Sequence, residues 1–273
     1  MVRVTDYLRK KKLPHIWCAG CGNGTIMGAL IRAVAGLGYS KDEITLVTGI
    51  GCSARTNAIA DFNTFQTTHG RALSFATGYK MVMPGQKVIV VTGDGDGAGI
   101  GGNHLIHTAR RNIDITTILI NNSIYGMTGG QHSPMTPVQS KATSAPFGNI
   151  EEPVDVCKLV EAAGATYVAR GTVYHHTLTE RLIKDALQHP GFSFVEVISQ
   201  CPVGYGRRNN MGSPVDMLYW QRDNSVNVKA AAGMKPEEIQ GKFLIGELAR
   251  RVDREEFCQR YNKMVSSLGQ GGK

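Results

Sequence analysis

No uninterrupted apolar run in the 273 residues approaches the roughly 20 needed for a membrane-spanning helix, so a membrane partner is not expected. The opening stretch MVRVTDYLRKKKLP lacks the apolar core of a secretory signal, which leaves cytoplasmic as the expected location. Internal repeats are absent. So is any long basic run: the net charge of +8 is scattered over Arg9 to Lys12, Arg110 with Arg111, Arg207 with Arg208, and Arg250 with Arg251. Scattered pairs point less to nucleic acid than to acidic partners or anionic ligands, or to a basic surface with no particular partner. Disorder is not the default either, because a hydrophobic share of 42% and a charged share of 19% are those of an ordinary globular enzyme.

What the chain does have is six cysteines, Cys18, Cys21, Cys52, Cys157, Cys201 and Cys258. Without an export signal, structural disulfides are not expected, and metal ligation is the leading alternative. The chain also has regular alternation. Helical spacing from Thr25 to Ala35 is followed by strand patterns at Ile44 to Thr48, Lys87 to Thr92, Ile115 to Ile120, Tyr167 to Ala169 and Ser193 to Ile198. Helical patterns lie between them at Arg71 to Met83, Ile100 to Arg111, Val154 to Ala163 and His176 to Gln188. Thr128 to Asn149, rich in Gly, Ser, Thr and Pro, reads as a long loop over a site. The stretch from Arg207 to Met234 looks irregular, and a final helix is expected from Pro236 to about Met264. The expected fold class is α/β, a doubly wound, mostly parallel sheet with helices on both faces and ligands at the carboxyl ends of its strands. Residues 1–210 are expected to form the functional domain, and 211–273 an extension with a terminal helix and no motif.

The stretch VIVVTGDGDGAGIGGN runs from a strand into glycines that also hold Asp94 and Asp96. Gly97, Gly99 and Gly102 fit a dinucleotide fingerprint, but that match is weak alone, since two carboxylates beside a bare diphosphate would repel it. A divalent cation reverses the sign. Mg²⁺ takes oxygen ligands and combines carboxylate with phosphates. The side-chain oxygen of Asn122 and the carbonyl of Ile124, at the neighbouring strand end, can complete the sphere. An ordinary glycine turn with a capping aspartate is the bland alternative. Gly93-Asp94-Gly95 followed by Asn121-Asn122 resembles the signature of thiamine-diphosphate enzymes.

Cys18 and Cys21, in HIWCAGCGNG, have the spacing that brings two thiolates to one metal, and zinc and iron-sulfur are both open. Cys52 and Cys201 follow predicted strands, so a doubly wound fold can bring them to the same end of the sheet. Cys157 and Cys258 read as ordinary core or helix residues.

The set WCAGCG, GIGCS, HGRALSFATG, GDGD and NNSIYGMTGGQ resembles the beta subunit of the 2-oxoacid:ferredoxin oxidoreductases, from about His15 to Asn209. The resemblance implies thiamine diphosphate, Mg²⁺ and one 4Fe-4S cluster as cofactors. It implies Cys18, Cys21, Cys52 and Cys201 as cluster ligands, and Asp94, Asn122 and Ile124 as Mg²⁺ ligands. Ile50, Gly51, Cys52, Ser53, His69, Gly93, Gly95, Asp96, Gly126, Met127 and Thr128 would lie against the thiamine cofactor, His69 also serving as the candidate catalytic residue. The implied reaction is decarboxylation of a 2-oxoacid, with electrons leaving singly through the cluster to ferredoxin and coenzyme A capturing the acyl group. CPVGYGRRNN looks more like the 2-oxoglutarate members than the pyruvate members; pyruvate or branched-chain substrates are the alternatives. Arg207 and Arg208 would face coenzyme A, the substrate's distal carboxylate or solvent. The chain has no room for a pyrimidine-binding domain, which implies a partner alpha subunit in a dimer of such pairs. Two competitors remain: a non-redox thiamine decarboxylase subunit, and a basic zinc-binding nucleic-acid module that would leave Asp94 and Asn122 idle.

Overall fold

Strands buried on both faces read as near-continuous apolar runs, and this chain has several. The structure, a computed structural model, describes residues 3–270. In chain order it forms α1 (Asn23–Leu37), β1 (Ile44–Thr48), α2 (Thr56–Ile59), β2 (Asn63–Gln66), α3 (Ala72–Val82), β3 (Lys87–Gly93), α4 (Gly102–Arg111), β4 (Thr116–Asn121) and α5 (Val156–Ala163). There follow β5 (Tyr167–Thr172), α6 (His176–Gln188), β6 (Ser193–Ile198), α7 (Pro214–Asp223), β7 (Ser225–Asn227), α8 (Val228–Ala231), α9 (Pro236–Ile239), β8 (Phe243–Arg250) and α10 (Phe257–Gln270). One sheet contains all the strands in the order β2-β1-β3-β4-β6-β5-β8-β7. Every pairing is parallel except that of β5 with β8.

Successive strand side chains go to opposite faces, and two cores result. Leu46, Ile89, Val91, Ile118, Ile120, Val195 and Val197 pack with Leu30 and Ile31 of α1 and Ile183 of α6. Val47, Val88, Val90, Leu119 and Phe194 pack on the other face with Leu73 of α3, Leu105 of α4 and Val160 of α5. Each such side chain, nearly or fully buried, contributes about 1.5–3 kcal/mol, so the sheet is the rigid frame from which the site loops hang.

The carboxyl-terminal third departs from expectation. The helix expected from Pro236 to Met264 is instead α9, β8 and α10. Gly246 sits at φ 114°, a left-handed conformation that no helix interior accepts, beside the irregularity where β8 pairs with β5. The stretch that looked irregular contains α7, opened by a capping box in which Ser213 and Asp216 bond reciprocally and Pro214 takes the first turn. No helix among the described residues is long and apolar enough to cross a membrane.

Candidate active site

A parallel sheet delivers the carboxyl ends of its strands to one edge. Here β1, β3 and β4 are neighbours, with Gly93 paired to Ile120, so the segments that follow them converge. The turn after β1 brings Ile50, Gly51, Cys52 and Ser53; the start of α3 brings His69; the turn after β3 brings Gly93, Asp94, Gly95 and Asp96; the segment after β4 brings Asn122, Ile124, Gly126, Met127 and Thr128. All of these line one cleft, joined by Asn23 and Tyr125, which the sequence did not single out. Its volume is about 70 Å³. Clefts that enclose a whole small-molecule ligand run to roughly 300–1,000 Å³, so this one is too small to enclose such a ligand by itself.

The two aspartates of the glycine turn have different surroundings. Asp94 is 3% exposed; its Oδ2 accepts from Ser133 Oγ at 2.6 Å, and it also accepts from the Ile124 N–H. Burial outweighs these bonds and pushes its carboxyl up to about 7. In the same cleft the buried Oδ1 of Asn122 has no hydrogen-bond partner. A desolvated carboxylate without a counter-charge and an orphaned amide oxygen both call for a hard cation, and Mg²⁺ fits that donor set.

Asp96, equally buried, is fully occupied. Its Oδ1 accepts from His69 Nδ1 at 2.6 Å, from Gly70 N at 2.7 Å and from Ile50 N at 3.2 Å, while Oδ2 accepts from Thr92 Oγ1 at 2.6 Å. It ties three loops together and turns the imidazole so that Nε2 is the ring nitrogen left for the cleft. Asp96, which the sequence groups with the cofactor residues, lines the cleft as expected, with its carboxylate oxygens taken up by backbone N–H groups, His69 and the Thr92 hydroxyl. Gly95 is needed for a close approach. A Cβ there would run into the Tyr125 ring, whose hydroxyl donates to the Gly95 carbonyl at 2.9 Å.

The loop expected over the site, Thr128 to Asn149, is fastened to the turns that carry Asp94 and Asn122. Ser133 reaches Asp94, and Thr136 Oγ1 donates to the Ser123 carbonyl at 2.6 Å, itself braced by Asn149 Nδ2 on the Thr136 carbonyl at 2.8 Å. Ser133 carries no sequence signal beyond its place in that loop.

Beside the cleft lies a second cavity of about 220 Å³, lined by Cys18, Cys21, Cys52 and Cys201 with Ile16, Trp17, Arg55 and Val203. Cys52, Asn122, Gly126 and Met127 face both spaces. Trp17 Nε1 donates to the Cys52 carbonyl at 2.7 Å, and Gly204 N donates to Cys201 Sγ at 3.4 Å. Burial pushes the Cys21 thiol up to about 11, and the other three sulfurs add to the shift; burial likewise raises Cys52 and Cys201. Such thiols become thiolates only when a metal replaces the proton. Among the described residues no three His, Cys, Asp or Glu side chains converge closely enough for a single ion. Four sulfurs around a void of this size suit a polynuclear cluster, whereas one zinc needs them all at about 2.3 Å. Cys157 and Cys258 are buried in the second core, away from this cavity. The Arg208 guanidinium donates to the Gly129 carbonyl at 3.4 Å, and Arg207 is exposed.

Comparison with known proteins agrees with this architecture. Residues 49–197 match the thiamine pyrophosphate enzymes at their C-terminal TPP-binding domain. The chain is 51% identical over 259 residues to the 2-oxoglutarate synthase subunit KorB of Methanothermobacter marburgensis, covering 95% of this chain and 90% of that protein. It is 48% identical over 262 residues to the subunit of the same name from Methanocaldococcus jannaschii, covering 96% and 97%. It superposes with a TM-score of 0.87 and 33% identity on a chain of the 2-oxoglutarate:ferredoxin oxidoreductase from Magnetococcus marinus, solved with 2-oxoglutarate, coenzyme A and succinyl-CoA bound, covering 98% of this chain and 91% of that one. By these likenesses the chain belongs to the thiamine pyrophosphate enzymes and, among them, to the family of KorB subunits, the beta subunits of 2-oxoglutarate:ferredoxin oxidoreductase.

Proposed function

We propose that this subunit holds the diphosphate end of thiamine diphosphate through Mg²⁺, and one 4Fe-4S cluster beside it, for the CoA-dependent oxidative decarboxylation of 2-oxoglutarate. The observation that carries the proposal is the pairing of buried Asp94 with the orphaned Asn122 Oδ1 in a cleft that shares a wall with four cysteines. Asp94, Asn122 and the Ile124 carbonyl would hold the ion, and Cys18, Cys21, Cys52 and Cys201 the cluster. When bound, thiamine diphosphate supplies a carbon nucleophile for the keto group and a sink for the electrons left by CO₂, and the cluster accepts those electrons one at a time.

The chain's own residues bind and orient. Asp94 would offset phosphate charge through the ion, Asp96 fixes His69 so that Nε2 faces the cleft, and Ile50 and Met127 line the cleft's apolar side. The rest of the cofactor belongs to a partner alpha subunit with a pyrimidine-binding domain, because the cleft here encloses only one end. Ferredoxin is the acceptor, and its acidic surface would suit the net charge of +8. We assign the chemistry to residues 1–210, and take 211–273 as an extension. The location is cytoplasmic.

The test is anaerobic purification of the assembled enzyme. Asp94→Ala is expected to lose thiamine diphosphate and keep the iron, whereas Cys201→Ala is expected to lose the iron-sulfur absorbance and keep thiamine diphosphate. A colourless wild type containing zinc or no metal overturns the cluster assignment, and normal cofactor occupancy in Asp94→Ala overturns the Mg²⁺ assignment. Ferredoxin reduction assayed with 2-oxoglutarate against pyruvate decides the substrate.

A further inference from the structure

An acid in the middle of a central parallel strand has to be explained by what it bonds to. Glu196 lies in β6 between Val195 and Val197 and is 1% exposed. Taking a carboxylate out of water costs several kcal/mol unless its oxygens are paired. Oε2 is paired with Arg170, its register partner on β5, whose Nε donates at 2.5 Å; the Cys157 thiol donates to the same oxygen at 3.2 Å. The far end of the guanidinium reaches Asp155 Oδ1 at 2.7 Å.

The other oxygen looks toward the site. Glu196 Oε1 accepts from Asn121 Nδ2 at 2.8 Å. Asn121 ends β4, and its own Oδ1 accepts from Ser123 N at 3.1 Å, bridging over residue 122. Ser123 is left-handed at φ 60°, so the turn is sharp and needs that bond. An ionised carboxylate can only accept, which forces Asn121 to present its NH₂ group to Glu196 and its oxygen to Ser123. The acid therefore sets the amide, and the amide sets the turn.

We infer that Glu196 is a positioning residue for the cation site, acting through Asn121 to hold the Asn121–Ser123 turn so that Asn122 Oδ1 and the Ile124 carbonyl face Asp94. This rests on the cation assignment made under Proposed function. It also gives Arg170 and Cys157 a role: they satisfy the oxygen of Glu196 that does not face Asn121. The arrangement has the form of an outer-shell partner to a metal ligand, and loss of such partners typically weakens metal binding by roughly 10–100-fold.

The test uses the assembled enzyme stripped of metal, titrated calorimetrically with Mn²⁺ in the presence of thiamine diphosphate, with thermal midpoints measured alongside. Asn121→Ala cuts the link while leaving the Glu196–Arg170 pair intact, and is expected to weaken Mn²⁺ by at least about tenfold. Replacing the pair with Glu196→Met and Arg170→Met removes both buried charges together, a change that is often neutral or stabilising. That double variant is expected to keep the wild-type midpoint and still bind Mn²⁺ at least about tenfold more weakly. A merely structural pair would instead leave affinity untouched wherever stability is kept. Binding within about threefold of wild type in Asn121→Ala, or in a double variant of normal midpoint, overturns the inference. If the wild type itself does not take up Mn²⁺ with thiamine diphosphate, the cation assignment falls, and this inference falls with it.

Discussion

Ser133 offers the sharpest test of how Asp94 is prepared for a cation. Its hydroxyl donates to Asp94 Oδ2 at 2.6 Å, with both residues at 3% exposure or less, and it accepts from Met135 N at 3.2 Å. A hydrogen bond to a buried charged group is worth about 1.5–3 kcal/mol, and this one favours the ionised carboxylate that a cation requires. Ser133→Ala removes it without adding volume. At about 1.4 kcal/mol per tenfold, the loss corresponds to roughly 10–150-fold weaker binding of Mn²⁺ with thiamine diphosphate. The assay is calorimetric titration of the metal-stripped complex, with iron content measured in parallel as a control that the cysteine cavity is undisturbed. Affinity within about twofold of wild type would show that Asp94 does not depend on this hydroxyl, and the reasoning would fail.

Gly95→Ala drives a methyl into the Tyr125 ring, so the turn bearing Asp94 must shift; cofactor retention is expected to fall while circular dichroism stays near wild type, and Gly95→Ala with Tyr125→Ala is expected to recover part of it. His189 gives a pH test away from the site. Burial, helped by the charge of Arg250, holds its imidazole below the ordinary 6.5, and its Nε2 meets Thr166 Oγ1 at 2.9 Å. Because the folded chain resists protonating it, the stability it contributes is full above pH 6.5 and is lost as pH falls through the lowered value. Denaturation of wild type and His189→Gln at pH 7.5 and pH 5 is expected to show the smaller acid loss in the variant; equal losses would refute this.

Apolar periodicity sufficed for the central strands and most helices, because β1, β3, β4 and β6 are buried and mostly apolar, with Glu196 the one charge inside them and Lys87 at the start of β3. It was silent on β2, a short edge strand of mostly exposed polar residues. It misled at β8, where Glu247 and Arg250, with Arg251 just beyond, imitate a charged helix face, although the glycine at 246 stood against that reading. The capping box of Ser213 and Asp216 opens α7, a helix whose apolar periodicity is too weak to show it. At the site, the residues grouped by motif do share a cleft, yet the separate duty of Asp96 was not legible. Its four donors come from Ile50, His69, Gly70 and Thr92, which only the sheet brings together. Ser133 and Glu196 were hidden for the same reason.

Cys52 stands in the partition between the two chambers, and so do Asn122, Gly126 and Met127. A change at any of these four residues therefore touches both chambers at once. Oxidation of the Cys52 thiol would be felt on both sides of that wall, whereas loss of Cys201, which lines only the larger chamber, would leave the smaller one its full lining.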